Sequence, residues 1–332
     1  MLSRIAESLF WVGRYIERAE DTARILDVQL HHILEEPDVE EDFACRALFA
    51  VMGRKPPEVA DSESAESSAV PRSEGRSGPV DALAVARSLA FEPADPCSIV
   101  GSINAARDNA RGAREVLSSE MWECLNTTYN ALPARVSAAS GGALHNFFQY
   151  VKERTTIVAG LADSTMTRDD GWRFLVLGRS LERVDMTTRL LSTHFGHPSN
   201  TPAWITALRS CSAHEAFLRT YRRAVEPELA VEFLLLDRLF PRSVHFALDA
   251  AETCLAELDP STGRAGFDNE ARRILGRGRY ELEFTKASEL LADLPQKLRS
   301  LQGACAQATA ATAHRFFRQT TAVRWQLEGS SR

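Results

Sequence analysis

The chain has 332 residues, 44% of them hydrophobic and 25% charged, so it is long enough to bury a large core. Its formal net charge of −6 argues against a broad nucleic-acid-binding surface. Its six cysteines are scattered without a C-x-x-C pair, which argues against a disulfide framework or structural zinc and indicates buried reduced thiols.

The N-terminal segment predicts one long amphipathic helix from Leu2 to about Leu34. Apolar residues recur there at three- and four-residue steps, and Glu35-Glu36-Pro37 ends the run. The charged first residues do not fit a signal peptide, and no stretch is apolar over the length of a membrane helix. We therefore expect a cytoplasmic protein without a membrane-spanning segment.

The composition changes after a short second helix predicted over Glu40–Met52. From about 54 to 79, Ser, Glu, Pro and Gly dominate, so this stretch cannot bury enough apolar surface to order itself. We predict a disordered insertion there. The helices predicted after it are Val80–Ala90, a helix capped by Asp95 or Ser98 that runs to about Ser118, Glu120–Leu132 and Gly141–Ala162, with Pro133 and Gly141-Gly142 separating the last two.

The second half of the chain opens at Asp169 with a helix predicted to run to Phe195. The further predicted helices are Pro202–Tyr221, Pro227–Leu236, Pro241–Leu258, Asn269–Leu294 and Pro295–Leu327. Several have proline in the first turn, where its missing N–H has no intrahelical partner to lose. Because no run of alternating β-branched residues indicates a sheet, the predicted fold class is all-α.

A long motif occurs twice, at 13–26 and at 178–191, with the shared pattern G-R-x-[IL]-E-R-x-[ED]-x-T-x-R-[IL]-L. A His-x-Phe-Phe run also occurs twice, at 145–148 and 314–317, and 95–103 loosely resembles 237–244. We interpret these matches as an internal duplication of two alpha-helical halves, 1–168 and 169–328. The halves are predicted to form one compact helical bundle with pseudo-two-fold symmetry.

The repeated motif carries a polar stripe at the edge of the apolar helix face. The stripe contains Gly13, Glu17, Glu20 and Arg24 in the first copy, and Gly178, Glu182, Asp185 and Arg189 in the second. Four further arginines of the motif, expected nearer the polar face, are Arg14, Arg18, Arg179 and Arg183. The glycines would let another backbone or a ligand approach closely.

Two interpretations of these stripes remain open from the sequence. In the first, they are ion pairs at the core boundary that hold the two repeats in register. In the second, they line a cleft that binds a charged peptide, a phosphate or a divalent cation. Glu20–Arg24 and Asp185–Arg189 have the acid-before-base spacing that favours pairing within a helix.

A second polar cluster occurs on one predicted helix, and we interpret it as a solvated face, with a phosphate or carboxylate clamp as the alternative. It contains Arg107, Asn109, Arg111, Arg114 and Glu115. The pairs His31-His32 and His194-x-x-His197 lack companions at ligand spacing, so no metal site is predicted. His145 and His314, beside their Phe-Phe pairs, are interpreted as core histidines.

Catalytic sequence motifs are missing: the chain has no P-loop, no G-x-S-x-G, no H-E-x-x-H and no strand-anchored G-x-G-x-x-G. Gly276-Arg277-Gly278-Arg279 lacks a preceding strand and is interpreted as a helix irregularity. We therefore predict no cofactor and no nucleotide chemistry by this chain alone.

Three stretches resemble the bacterial alpha-E domain family, also called domain of unknown function 403. They are L-S-R-I-A-E-S-L-F-W-V-G-R-Y-I-E-R-A-E-D-T-A-R at the N-terminus, residues 106–115, and G-L-A-D-S-T-M-T-R-D-D-G-W-R-F-L-V-L-G-R-S-L-E-R at 160–183. The F-P-R-S-V run within 234–244 also looks like the family, and Val184 is a local departure from the first copy.

The resemblance implies an all-helical protein without established catalytic activity. It also implies an association with a circularly permuted ATP-grasp protein and a transglutaminase-like protease. Our leading hypothesis is a non-catalytic helical partner or scaffold of the ATP-grasp peptide ligase, acting in peptide synthesis or modification. It would bind the enzyme or a peptide through the duplicated Glu/Arg stripes. The alternative is an enzyme, metal-dependent or amide-bond-processing, that uses facing carboxylates.

Overall fold

The structure, a computed structural model, describes residues 1–35, 40–56, 80–193 and 201–317. All regular secondary structure in these ranges is helical, which confirms the predicted all-α class. The α-helices are α1 Ser3–Glu35, α2 Glu41–Val51, α3 Ala82–Val85, α4 Ile99–Gly112, α5 Ser119–Ser140, α6 Leu144–Thr165, α7 Asp170–Thr193, α8 Thr201–Ser210, α9 His214–Tyr221, α10 Pro227–Val231, α11 Val244–Leu258, α12 Glu270–Glu283, α13 Ala287–Ala292 and α14 Leu294–Phe316. Two π-helical turns, Ala86–Phe91 and Glu232–Leu236, continue α3 and α10. Within the same ranges no helix is long and apolar enough to cross a membrane.

The helices α1 and α7 form the centre of the bundle. They pack against each other; α4, α6 and α8 cover α1, and α11 and α14 cover α7. The apolar periodicity predicted for α1 is confirmed, since Leu9, Ala19 and Leu26 are fully buried. Leu2, which we expected in this face, precedes the helix and is 64% exposed. The buried side chains of both predicted halves belong to one hydrophobic cluster.

Side-chain caps fix where several helices begin. Ser98 Oγ accepts a hydrogen bond from Gly101 N (2.9 Å), so of the two predicted caps of α4 it is Ser98 that acts. Asn269 caps α12 in the same way. Proline lies in the first turn of α10 and α14, as the sequence predicted.

Several predicted boundaries were wrong. Helix α5 continues through Pro133, although proline removes a backbone donor, because buried residues on both sides of it hold the helix against the core. The single helix predicted over 202–221 is two helices, separated where Ser212 has φ 52°. The helix predicted over 269–294 also divides, since α12 ends at Glu283 and α13 begins at Ala287. Helix α4 ends at Gly112, six residues before the predicted Ser118.

Two expectations about individual residues were also wrong. Gly276 and Gly278 lie inside the regular helix α12 rather than at an irregularity. His145 and His314 are exposed, and the adjacent phenylalanines fill the core in their place. The predicted insertion lies almost wholly outside the described residues, as does the predicted end of the last helix at Leu327.

The six cysteines are all free, and only Cys97 is not buried. Burial raises the pKa of the Cys211 and Cys254 thiols to about 12. Because the thiolate is the reactive form, these buried thiols should react far more slowly than Cys97. We expect thiol titration of the folded protein to show one fast-reacting group and, after denaturation, six. Two or more fast-reacting thiols in the folded protein would contradict this packing.

Candidate functional site

Two glycines allow α1 and α7 to cross in direct backbone contact. A Cβ atom on Gly13 would lie 2.1 Å from Leu175 O, and one on Gly178 would lie 2.0 Å from Phe10 O. Real Cβ atoms do not approach so closely, so only glycine is tolerated at either position without movement of the helices. Of the two approaches that the sequence left open, backbone or ligand, the structure shows the backbone at both glycines.

The close crossing brings the carboxylate of Glu182 against two arginines of α1. Glu182 is 1% exposed and accepts hydrogen bonds from Arg14 Nε and from Arg18 Nε (2.6 Å) and Nη2 (3.1 Å). The guanidinium of Arg14 also donates to Thr309 Oγ1 (2.9 Å) on α14. This carboxylate is therefore held by charge-assisted bonds from two guanidinium groups.

The carboxylate of Glu17 has a matching environment on the other helix. It is also 1% exposed and accepts Arg183 Nε (2.6 Å) and Nη2 (2.8 Å), a bidentate pair. Arg18 and Arg183 also make the same outer contact, since each donates Nη1 to a proline carbonyl oxygen, Pro96 and Pro241 respectively. The Glu-Arg dipeptide of each helix thus pairs with the one on the other helix.

A further arginine, Arg242, completes the environment of Glu17. Its Nη1 lies 2.6 Å from Asp21 Oδ1 and 3.5 Å from Glu17 Oε1, and its Nη2 donates to Glu20. Arg242 lies within the F-P-R-S-V run, but its position in the sequence did not predict it as a site residue. We define the Glu/Arg cluster by its members on the three segments: Arg14, Glu17, Arg18, Glu20, Asp21, Glu182, Arg183 and Arg242.

The loops before α4 and α11 show how Arg242 could have been found. Ser98 and Ser243 each cap a helix and donate Oγ to the carbonyl oxygen six residues earlier, at Glu92 and Asp237. The register in which we compared Asp95 with Asp237 was therefore wrong by three residues. In the corrected register Cys97 aligns with Arg242. The second half therefore has an arginine at a position where the first half has a cysteine. The duplication itself stays a prediction.

The positions of Arg14 and Arg18 correct a second expectation. We expected both nearer the polar face, but Arg14 is 8% exposed and the side chain of Arg18 is 17% exposed. The side chains of Arg179 and Arg183, which we also expected nearer the polar face, are 18% and 16% exposed. Arg179 differs from Arg14 in its partner, since its Nη1 lies 3.6 Å from Asp163 Oδ2 and not against a carboxylate of the motif. Glu182 has Arg14 as its second guanidinium partner, and at Glu17 the corresponding place is taken by Arg242.

The two predicted pairs within a helix are present. Arg24 Nη2 donates to Glu20 Oε1 (2.7 Å), and Arg189 Nε donates to Asp185 Oδ2 (2.9 Å). Arg189 has the most exposed side chain of the two stripes, at 35%. The stripes are therefore closed ion pairs along most of their length, and Arg189 is their accessible edge.

Burial and pairing set the protonation of the cluster. Burial by itself raises the pKa of Glu17, but Arg183 and Arg242 outweigh it and lower the pKa to about 2. The pKa of Glu182 is likewise lowered, because Arg14 and Arg18 outweigh its burial. Asp21 differs, since burial and the neighbouring Glu17 raise its pKa to about 7 despite Arg242. Its Oδ2 is buried without a hydrogen-bond partner among the described residues, so a charge on that oxygen would be left without a donor.

This raised pKa predicts a pH dependence of stability. The folded protein holds the Asp21 proton between pH 3.8 and about 7, where the unfolded chain releases it, so stability falls as the pH rises through this window. The slope is at most about 1.4 kcal/mol per pH unit. We expect Asp21→Asn to remove it and to stabilise the protein more at pH 8 than at pH 5, as measured by urea unfolding. Asp108→Asn, a substitution of an exposed aspartate, should leave the pH dependence unchanged. If Asp21→Asn stabilised the protein less at pH 8 than at pH 5, relative to wild type, the raised pKa of Asp21 would be contradicted.

The second polar cluster is engaged with aromatic side chains and with its own helix. The guanidinium of Arg107 lies 4.7 Å from the ring centre of Tyr129, and that of Arg114 lies 4.7 Å from the ring centre of Trp122. Asn109 Nδ2 donates to Ala105 O (2.8 Å), and Arg111 is exposed. The structure therefore does not bring these residues together as a clamp.

The histidines singled out from the sequence lie away from the Glu/Arg cluster. His31 and His32 line a cavity near the end of α1 together with His145, whose Nδ1 lies 2.7 Å from Asp27 Oδ1. His194 and His197 lie outside the described residues. In the part of the chain that the structure describes, no three His, Cys, Asp or Glu side chains are arranged to hold a metal ion.

The fold and the cluster define a class of protein. It is all-helical, and the Glu-Arg dipeptide on each of its two central helices forms ion pairs with the dipeptide on the other helix. Residues 1–317 match the family described as Alpha-E, a predicted alpha-helical domain with a conserved ER motif. The chain belongs to the Alpha-E family, as its resemblance predicted. We interpret ER as the Glu-Arg dipeptide of the repeated motif, which is Glu17-Arg18 in the first copy and Glu182-Arg183 in the second.

The curated relatives are longer than this chain. It is 28% identical over 315 residues to uncharacterized proteins of Mycobacterium bovis and Mycobacterium tuberculosis. The match covers 89% of this chain but 35% of each relative, so the chain spans about a third of the length of the curated relatives it matches. No solved structure matches the chain.

Proposed function

We propose that this chain is a cytoplasmic, non-catalytic helical partner or scaffold of a circularly permuted ATP-grasp peptide ligase. It would act in peptide synthesis or modification, with a transglutaminase-like protease as a second partner. One observation carries the non-catalytic role: both buried glutamates of the motif, Glu17 and Glu182, are held between guanidinium groups. Carboxylates that act as a general acid, a general base or metal ligands need an oxygen that substrate or metal can reach. The oxygens of Glu17 and Glu182 are occupied by arginines instead.

The Glu/Arg stripes would take part in partner binding mainly by fixing α1 against α7. Their carboxylates are buried and paired, so a partner could touch only the arginine edges, chiefly Arg189. The free energy needed to take charged groups out of water offsets much of their mutual attraction. A buried network of this kind therefore fixes the relative position of the helices more than it adds to the free energy of unfolding. A rigid α1–α7 pair would hold the outer surface in one shape for the partner.

Exposed apolar side chains offer a second contact surface for the partner. Leu239, in the loop before α11, is 87% exposed, and Phe284, at the end of α12, is 82% exposed. The ring of Tyr280 stacks beside that of Phe284 at 6.5 Å between centres. Arg238 pairs with Glu283, so the segments that carry Leu239 and Phe284 are neighbours. Large apolar groups exposed near each other are typical of surfaces that bind another protein. The length of the relatives also supports a partner, since roughly two thirds of each one lies outside the match.

The test is co-purification with the ATP-grasp protein, followed by ATPase and peptide-ligation assays with and without this chain. We expect a complex and a changed turnover. Leu239→Ser should weaken the complex if the apolar surface binds the partner, and Arg189→Glu should weaken it if the stripe edge does. Phe43→Ser on α2 and Arg219→Glu on α9 change exposed residues of the same types and serve as matched controls. The absence of a complex together with unchanged turnover would refute the proposal, and ligation by this chain alone would favour the enzyme alternative.

A further inference from the structure

A second site lies at the far end of α1 from the glycine crossing. A cavity of about 470 Å³ lies there between α1, α6 and α8. Its polar lining consists of Asp27, His31 and His32 from α1, His145 from α6, and Thr206 and Arg209 from α8. Cavities of this size accommodate small ligands or the end of a peptide.

The single carboxylate in this lining is already paired. Asp27 Oδ1 lies 2.7 Å from His145 Nδ1, and Asp27 Oδ2 accepts a hydrogen bond from Lys152 Nζ (2.7 Å) behind the cavity. The side chain of Asp27 is 12% exposed, so both of its oxygens face these two partners. Asp27 therefore has no oxygen left to pair with Arg209 or His32.

The remaining basic groups are imidazoles and one guanidinium. Arg209 forms no ion pair with any carboxylate of the described residues, and it lines the cavity beside His31 and His32. A guanidinium offers two parallel donors to an oxyanion, and the imidazole of His32 adds a further N–H donor. On a chain with a net charge of −6, a cavity with this lining is a local exception to the acidic surface.

We propose that this cavity binds a small oxyanion, either a phosphate group or a carboxylate at a peptide end, through Arg209 and His32 with Thr206 beside them. A divalent cation is the less favourable occupant, because Asp27, the only anionic ligand in the lining, is engaged by Lys152. The site is separate from the Glu/Arg cluster and does not depend on the partner proposed above.

Isothermal titration of the full chain at pH 7 tests the proposal. The probes are inorganic phosphate, N-acetyl-dialanine with its free carboxylate, and the corresponding neutral amide. We expect one of the two anions to bind and the amide not to bind. Preference for phosphate would identify a phosphorylated ligand, and preference for the free acid would identify a peptide end.

Variants of the lining locate the binding. Arg209→Gln and His32→Ala should each weaken binding of the favoured anion about ten-fold or more, because the first removes the guanidinium charge and the second removes an N–H donor. Arg219→Gln, exposed on the neighbouring α9, should leave the affinity unchanged. Thermal melting checks that each variant folds. Failure of both anions to bind, or equal binding by Arg209→Gln, would overturn the proposal.

Discussion

Glu182→Gln is expected to lower the free energy of unfolding by about 3–5 kcal/mol, because it leaves two arginines without their shared counter-charge. Arg14 is 8% exposed and cannot turn to solvent without opening the contact between α1 and α7. The amide keeps the shape of the carboxylate but offers one acceptor instead of two, and it competes as a donor with Arg14 and Arg18. Urea unfolding at pH 7, followed by circular dichroism, measures the loss.

The chain contains a matched control for this substitution. Glu153-Arg154 is another Glu-Arg dipeptide on a helix, but Glu153 is exposed, and among the described residues only Gln149 donates a hydrogen bond to it (2.9 Å). Glu153→Gln should change stability by no more than about 0.5 kcal/mol. Equal effects of Glu182→Gln and Glu153→Gln would show that burial of the pair does not matter. A Glu17→Gln/Glu182→Gln protein that stayed fully stable but lost partner activity would argue against a purely structural cluster.

Gly178→Ala is the second substitution with a large expected effect, a loss of about 3 kcal/mol or more. The added methyl group would lie 2.0 Å from Phe10 O and 3.2 Å from Arg14 N, both backbone atoms of the facing helix. Neither can yield without a shift of all of α1, which would lengthen the bonds between Glu182 and the arginines of α1. Gly13→Ala should behave alike, since its methyl group would meet Leu175 O.

Gly160 on α6 provides the control of opposite sign. A Cβ there would meet no atom within 4 Å, and the glycine is in the middle of a helix. Gly160→Ala should therefore stabilise the protein by up to about 1 kcal/mol through helix propensity alone. Thermal melts of the three alanine variants would test the contrast. A Gly178→Ala protein that melts as high as wild type would show that α1 and α7 are not in backbone contact.

The glycine and glutamate positions illustrate what could be predicted from the sequence. Helical periodicity placed Gly13 and Glu17 on one stripe at the edge of the apolar face, and both lie in the interface with α7. The pairs Glu20–Arg24 and Asp185–Arg189 also follow from spacing, because residues four apart on a helix are neighbours. These results depend on local geometry alone, so the sequence was sufficient for them.

Periodicity failed for the arginines next to these positions. A helical wheel assigns Arg14 and Arg18 to the flank of α1, but a long arginine side chain reaches several ångströms to a carboxylate on another helix. The wheel fixes the direction of Cβ and does not fix the position of the guanidinium. The partner of Arg18 lies 164 residues away, and no spacing within α1 indicates it.

By itself, the sequence determined the all-α class, the central helix from Ser3 onward, the repeated motif and membership of the Alpha-E family, because each depends on local pattern or on similarity along the chain. Only the tertiary structure decided that the carboxylates of Glu17 and Glu182 pair with arginines across the α1–α7 crossing. It alone also decided that Arg242, from a loop distant in sequence, lies beside Glu17. The physical reason is that ion pairing depends on the distance between charged atoms after folding. That distance is set by how closely the two glycines allow the helices to approach.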